Sequence, residues 1–138
     1  MSQDVGTPDV GTPSVPPVPT LNHQRLESIE RDVSREFLIE LVALFVTDVQ
    51  KRLEGLADAV RGRETLKAAD VAHALQSAAA SLGVVRLRHM AARLEDHVRR
   101  SDWPSSDRAL ARIVNEFANV RGVLSALHER VSQRPGAK

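Results

Sequence analysis

Between Pro19 and Pro104 the chain contains no proline, and its apolar residues return every three or four positions without any sustained alternation. That pattern admits helices and leaves little room for strands. Asn22 stands where it can cap a short first helix running to about Asp32 and carrying Leu26 and Ile29. Ser34 stands where it can cap a long second helix, Arg35 to about Val60, with the stripe Leu38, Leu41, Val42, Phe45, Val49, Leu53, Leu56 and Val60. Gly62 is the expected stop for it. A third helix is expected over Thr65 to Leu82, ending at Gly83, and a fourth from Val84 to about Arg100, presenting Leu87, Met90, Ala91, Leu94 and Val98. Trp103-Pro104 reads as a break, after which Ser105 or Ser106 caps a last helix carrying Leu110, Ile113, Phe117, Val120, Leu124, Leu127 and Val131. Helices of this length joined by short connections predict an all-α domain, an antiparallel up-down four-helix bundle with a short additional N-terminal helix covering one end.

Residues 1–20 read differently. They hold five of the seven prolines and a direct repeat, Asp4-Val5-Gly6-Thr7-Pro8 followed by Asp9-Val10-Gly11-Thr12-Pro13. Such a segment has little to bury against the entropy of ordering it, so 1–20 is expected to be a disordered linker, 21–132 the bundle and 133–138 a disordered tail. A net charge of +1 is too small to argue for nucleic acid or an anionic membrane, and 3% aromatic content without tyrosine leaves little to stack on bases. Protein partners are the expectation. No cysteine means no disulfide and no thiolate metal site, and neither a signal peptide nor a long apolar span is present, so a cytoplasmic domain is expected. It would reach a membrane only as part of a larger anchored protein.

On a helical wheel of about 100° per residue, Val71, Leu75, Ala78 and Leu82 fall within roughly 40° of one direction, and His73 lies about 180° away. His73 is therefore expected in solvent. Its neighbours on that face are Ala69, Asp70, Gln76, Ser77 and Ala80, mostly small residues that let another protein approach closely. An ordinary solvated face would be richer in Lys, Glu and Arg. On residue types alone, an idle surface histidine stays open beside a functional one.

The string Ala72-His73-Ala74-Leu75-Gln76-Ser77-Ala78-Ala79-Ala80-Ser81-Leu82-Gly83 resembles the signature of the histidine-containing phosphotransfer (HPt) domain family. That signature reads Ala-His, any residue, Leu-Lys-Gly, several small residues, then Leu-Gly. The resemblance extends over roughly residues 21–130, through the Phe-containing second helix and a Leu94-Glu95 pair on the fourth. It implies that His73 accepts a phosphoryl group from the aspartyl phosphate of a receiver domain in a multistep His-Asp relay and passes it on. An exposed imidazole, neutral near pH 7, is a competent nucleophile, and the Mg2+ that assists is expected on the receiver. The resemblance thus implies a phosphocarrier with neither a kinase site nor a cofactor of its own, acting as a monomer, free or within a hybrid sensor kinase.

Two positions depart from the signature. Gln76 stands where the family has lysine; it can hydrogen-bond a phosphoryl oxygen without bringing charge, which predicts transfer slowed by about tenfold. Ser77 stands where the family has glycine, at a point of close receiver approach together with Ala69, Asp70 and Ala80. These departures leave open a degenerate module that docks receivers or kinases as scaffold or inhibitor without efficient transfer; a third, weaker reading is an unrelated helical bundle for oligomerisation in which His73 is idle. Other candidates are weaker. His23 and His128 sit near helix ends, and His89 and His97 lack metal-ligand spacing. Arg86, Arg88, Arg93, Arg99 and Arg100 scatter around the fourth helix as a solvated face, and Asp70 and Glu95 suggest no acid-base pair.

Overall fold

A computed structural model describes residues 19–32 and 34–133. Among them the chain forms five helices and no strand: α1 (His23–Asp32), α2 (Arg35–Arg61), α3 (Thr65–Leu82), α4 (Val85–Arg99) and α5 (Trp103–Gln133). The all-helical expectation holds element by element. The anticipated linker and tail fall outside the described residues except at their inner ends. There the Thr20 carbonyl accepts the Val85 N–H at 2.9 Å and its hydroxyl accepts from Asn119 at 3.3 Å, while Gln133 still belongs to α5. Thr20 is thus part of the folded unit.

The long helices contact one another in a ring, α2 with α3, α3 with α4, α4 with α5 and α5 with α2, and α1 lies against α2. Inside the ring sit the stripes read from the spacing, among them Leu38, Val49, Leu56, Leu75, Leu87, Leu94, Ile113 and Leu124, all buried. α1 is tied to the end of α3 as well. Asn22 N–H donates to the Gly83 carbonyl at 2.7 Å, and the Arg25 guanidinium donates to the Ser81 carbonyl at 3.1 Å.

The helix ends show where local chemistry was read correctly and where it was not. Asn22 Oδ1 accepts the Arg25 N–H and Ser34 Oγ accepts the Phe37 N–H, both at 3.0 Å, as N-caps do. Gly83 sits in the left-handed region at φ 76°, with its own N–H on the Ala80 carbonyl and that of Val84 on Ala79, the paired closure that favours glycine. α2 stops at Gly62 as expected, but the residue that takes the positive φ in its closure is the next one, Arg63, at 55°. Its cost is offset by a two-pronged bond from the Arg63 guanidinium to Asp107 and by stacking on Trp103. Ser105 and Ser106 are not the caps of α5. Asp102 is, its carboxylate accepting the Ser105 N–H at 3.2 Å, so Trp103 and Pro104 open the helix. A proline in the first turn has no intrahelical N–H to lose.

α3 is rotated relative to the wheel drawn from its large side chains. Its buried residues are Ala68, Ala69, Ala72, Leu75, Ala79 and Leu82, whereas Val71 and Ala78 are only half-buried. The centre of that set lies roughly 125° from His73 instead of 180°. Alanines moved it. Carrying little area, they weigh little on a hydrophobicity wheel, yet they let a neighbouring helix approach closely, and α4 occupies that side with Ala91 one turn before Glu95.

Candidate functional site

His73 stands at mid-helix on α3 with its side chain 68% exposed, directly beside Ala72, whose side chain is wholly buried. Asp70, Ser77 and Ala80 share its exposed face. So does Leu66, seven residues and two turns before His73 and 77% exposed, a large apolar side chain absent from the face drawn above. Ala69 does not belong there. It lies seven residues before Gln76, on the strip that faces α4, and is 1% exposed, so no partner can touch it.

Gln76 and Glu95 form the inner wall of the site. Gln76 Nε2 donates to Glu95 Oε1 at 2.5 Å and more weakly to the Ala72 carbonyl at 3.4 Å. The amide expected to meet the phosphoryl group is therefore held by the neighbouring helix. Glu95 Oε1 also lies 3.5 Å from His73 Nδ1, and Glu95 Oε2 takes two bonds from the Arg99 guanidinium, at 2.9 and 2.6 Å. A carboxylate with no expected partner thus joins His73, Gln76 and Arg99, and Arg99 belongs to this cluster instead of to a solvated face. With Nδ1 turned to Glu95, the other ring nitrogen, Nε2, is left for chemistry.

Burial alone would push the Glu95 carboxyl up. The Arg99 bonds, then those of Gln76 and His73, outweigh it and hold the group below the usual glutamate range. A carboxyl lowered in the folded state stabilises the fold above its unfolded value and loses that contribution as pH falls through the folded one. Acid titration of stability should accordingly show a decline below about pH 4. Glu95→Gln should flatten that part of the curve in urea melts taken at stepwise pH. An unchanged slope would show that the cluster does not hold Glu95 ionised.

On the other flank of His73 a pocket of about 690 Å3 opens between α1, α2 and α3. Ala74, Ser77, Ala78 and Ser81 line it from α3, and Leu41, Leu44 and Phe45 from α2. Leu44 is 67% exposed at its rim, and Arg25 and the Asp48–Arg52 ion pair border it. A histidine in water, a row of small residues and an apolar trough beside them make a surface suited to a protein partner. The family model described as the Hpt domain matches residues 40–131 of the 138. The chain belongs to the Hpt domain family.

Relatives of this Hpt chain include the phosphorelay protein LuxU of Vibrio vulnificus, 27% identical over 109 residues, which span 79% of this chain and 86% of that one. The fold is shared with histidine-containing phosphotransfer protein B of Pseudomonas aeruginosa PAO1, at a TM-score of 0.76 and 24% identity over 83% of this chain and 98% of that one. It is shared also with a putative histidine-containing phosphotransfer protein from rice, at a TM-score of 0.74 and 19% identity over 83% of each chain. Among the described residues of this Hpt chain, no group of three or more His, Asp or Glu is placed to hold a metal ion. Glu95 is the site residue that sequence reasoning missed. It had entered only as half of the Leu94-Glu95 pair in the resemblance, and its link to His73 depends on how α3 and α4 are set against each other.

Proposed function

We propose that this Hpt chain is the histidine phosphotransfer intermediate of a multistep His-Asp relay and that His73 carries the phosphoryl group. The observation behind the assignment is the exposed imidazole whose Nδ1 is turned to a carboxylate only 15% exposed while its face is free of bulky charged side chains. In this reading Nε2 attacks the phosphorus of a receiver's aspartyl phosphate in line. The N–P bond forms, the P–O bond to the receiver breaks, and the aspartate leaves as a carboxylate. The ring gains positive charge as this happens, and Glu95 at Nδ1 stabilises it while fixing the tautomer. Arg99 keeps Glu95 from repelling the incoming phosphoryl group. Reversal hands the group to another receiver. Mg2+ belongs to the receiver's acidic pocket, and the chain needs no kinase site of its own.

The scaffold for this is an antiparallel up-down four-helix bundle, α2 to α5, with α1 over one end. A receiver sits across α3, on Asp70, Ser77, Ala80 and Leu66, and extends over the trough toward Leu44. The chain works as a monomer in the cytoplasm, in keeping with the lack, among the described residues, of a helix long and apolar enough to cross a membrane.

The test is transfer of label from a panel of receivers carrying radiolabelled aspartyl phosphate. Label should appear on the chain in acid-labile, base-stable form and map to the tryptic peptide between Lys67 and Arg86, whose only histidine is His73. Binding without transfer would replace this reading with a docking module, which the engagement of Gln76 by Glu95 favours. Neither binding nor transfer across the panel would end both. Within the leading reading, Gln76→Lys should speed transfer by about tenfold, because a cation next to the phosphoryl group forms a charge-assisted bond that the held amide does not. Single-turnover transfer rates decide it, and an unchanged rate would remove Gln76 from the site.

A further inference from the structure

The arginines of α4 that looked scattered become a cluster once α5 is laid beside them. Between the two helices lies a pocket of about 310 Å3 lined by Met90, Arg93, His97, Ser105, Arg108, Ala109 and Arg112. Two i, i+4 pairs face each other across it, Arg93 with His97 on α4 and Arg108 with Arg112 on α5. The remaining arginines of α4 are spent: Arg99 on Glu95, Arg100 on Asp96 and Arg86 on Glu116, with Arg88 elsewhere. Arg93 and Arg112 make no hydrogen bond or ion pair with the described residues, and Arg108 makes only a neutral one, to Ser105 Oγ at 3.1 Å. Asp102 is engaged in capping α5 through Ser105, whose bonds lower its carboxyl first, followed by the charges of His97 and Arg108.

Three guanidiniums around one concavity repel one another unless an anion joins them. A single carboxylate offers one charge. A phosphate offers close to two and three acceptor oxygens, which suits the planar forks of several arginines. The recess is small, the chain's net charge is only +1, and Arg86 and Arg100, which continue the same face of α4, are paired with Glu116 and Asp96, so an extended polyanion has little to follow. Met90 and Ala109 add apolar lining, and guanidinium planes can stack on a flat ring. We infer that the α4–α5 pocket binds a small organic phosphate of nucleotide size, held by Arg93, Arg108 and Arg112. The pocket is separate from His73: Arg93 and His97 each lie two residues from Glu95, ~160° around α4 from it.

The full chain, isotopically labelled, is titrated in low-salt, phosphate-free buffer with AMP, ATP, inorganic phosphate and a decaglutamate peptide while amide shifts are followed. The inference expects shifts concentrated within residues 90–112 for the nucleotides, with a dissociation constant of about 1 mM or tighter. Binding should weaken by about tenfold or more in Arg93→Gln/Arg112→Gln and stay unchanged in His73→Gln. Arg112→Lys should retain part of the affinity, and thermal melts of each variant guard against misfolding. Shifts centred on α3, no shifts at 5 mM nucleotide (~five times the expected constant), or equal affinity in the double variant would overturn it. So would decaglutamate binding as tightly as ATP, which would assign the pocket to an acidic protein segment. Inorganic phosphate matching the nucleotides would overturn the organic part of the ligand.

Discussion

His73→Gln yields a folded chain that accepts no phosphoryl group. The side chain is 68% exposed, and its polar contact among the described residues is with Glu95, so the fold has little to lose. Surface changes of this kind shift stability by about 0.5 kcal/mol or less. Transfer, in contrast, loses its nucleophile, and no neighbour can substitute, because Gln76 is an amide and Ser77 a hydroxyl without a base beside it. The drop should exceed a thousandfold, on the order of the 4 kcal/mol that such a factor represents. Label transfer and a thermal melt, run on the same preparation, check both halves. Label that persists would move the carrier role to another histidine, with His89 and His97 on α4 the first to examine.

Ala72→Leu attacks the site from beneath. Ala72 is fully buried on the strip of α3 that faces α4, three residues after Ala69 and four before Gln76. Three added carbons have no room in a packed interface, and overpacking of this kind costs about 2–3 kcal/mol. For a domain of this size the melting temperature should fall by roughly 10 °C. Relief of the strain pushes α3 and α4 apart, which separates Gln76 and His73 from Glu95. Transfer should therefore slow even at temperatures where the variant is fully folded. A variant as stable as the parent would show that the alanine strip is not a close helix contact. Ala80→Leu, on the exposed face of the same helix, is the matched control for folding.

These two substitutions mark what could and could not be read before the fold was known. His73 was legible because exposure on a helix follows from spacing, and the neighbours that make its face approachable are visible as letters. The stripes of α2 and α5 were legible for the same reason. Ala69 was misplaced because a wheel weights side chains by hydrophobicity, whereas helix contact is decided by how near two backbones come, and alanine contributes to the second far more than to the first. Glu95 was missed because the partners that bring it into the site, His73 and Gln76, lie on α3, nineteen residues from it at Gln76, and no periodicity encodes the set of one helix against another. The cap of α5 went to Ser105 or Ser106 because Pro104 was taken as a break, when a proline in the first turn marks a start. The α4–α5 pocket stayed hidden for a related reason: its cations come half from each helix.

The placement of His73 in the middle of α3, and not on a loop, has a consequence for how the two states of the chain differ. Ala72, Leu75 and Ala79 clamp the helix with no exposed surface of their own. In the proposed relay, loading the imidazole places a phosphoryl dianion on a ring that has itself gained positive charge, all at one point of a helix held by its buried face. Loaded and empty forms of such a carrier are expected to differ in electrostatics far more than in shape. A partner can tell them apart only by touching that point, so the message travels as cargo and cannot be broadcast as a conformation.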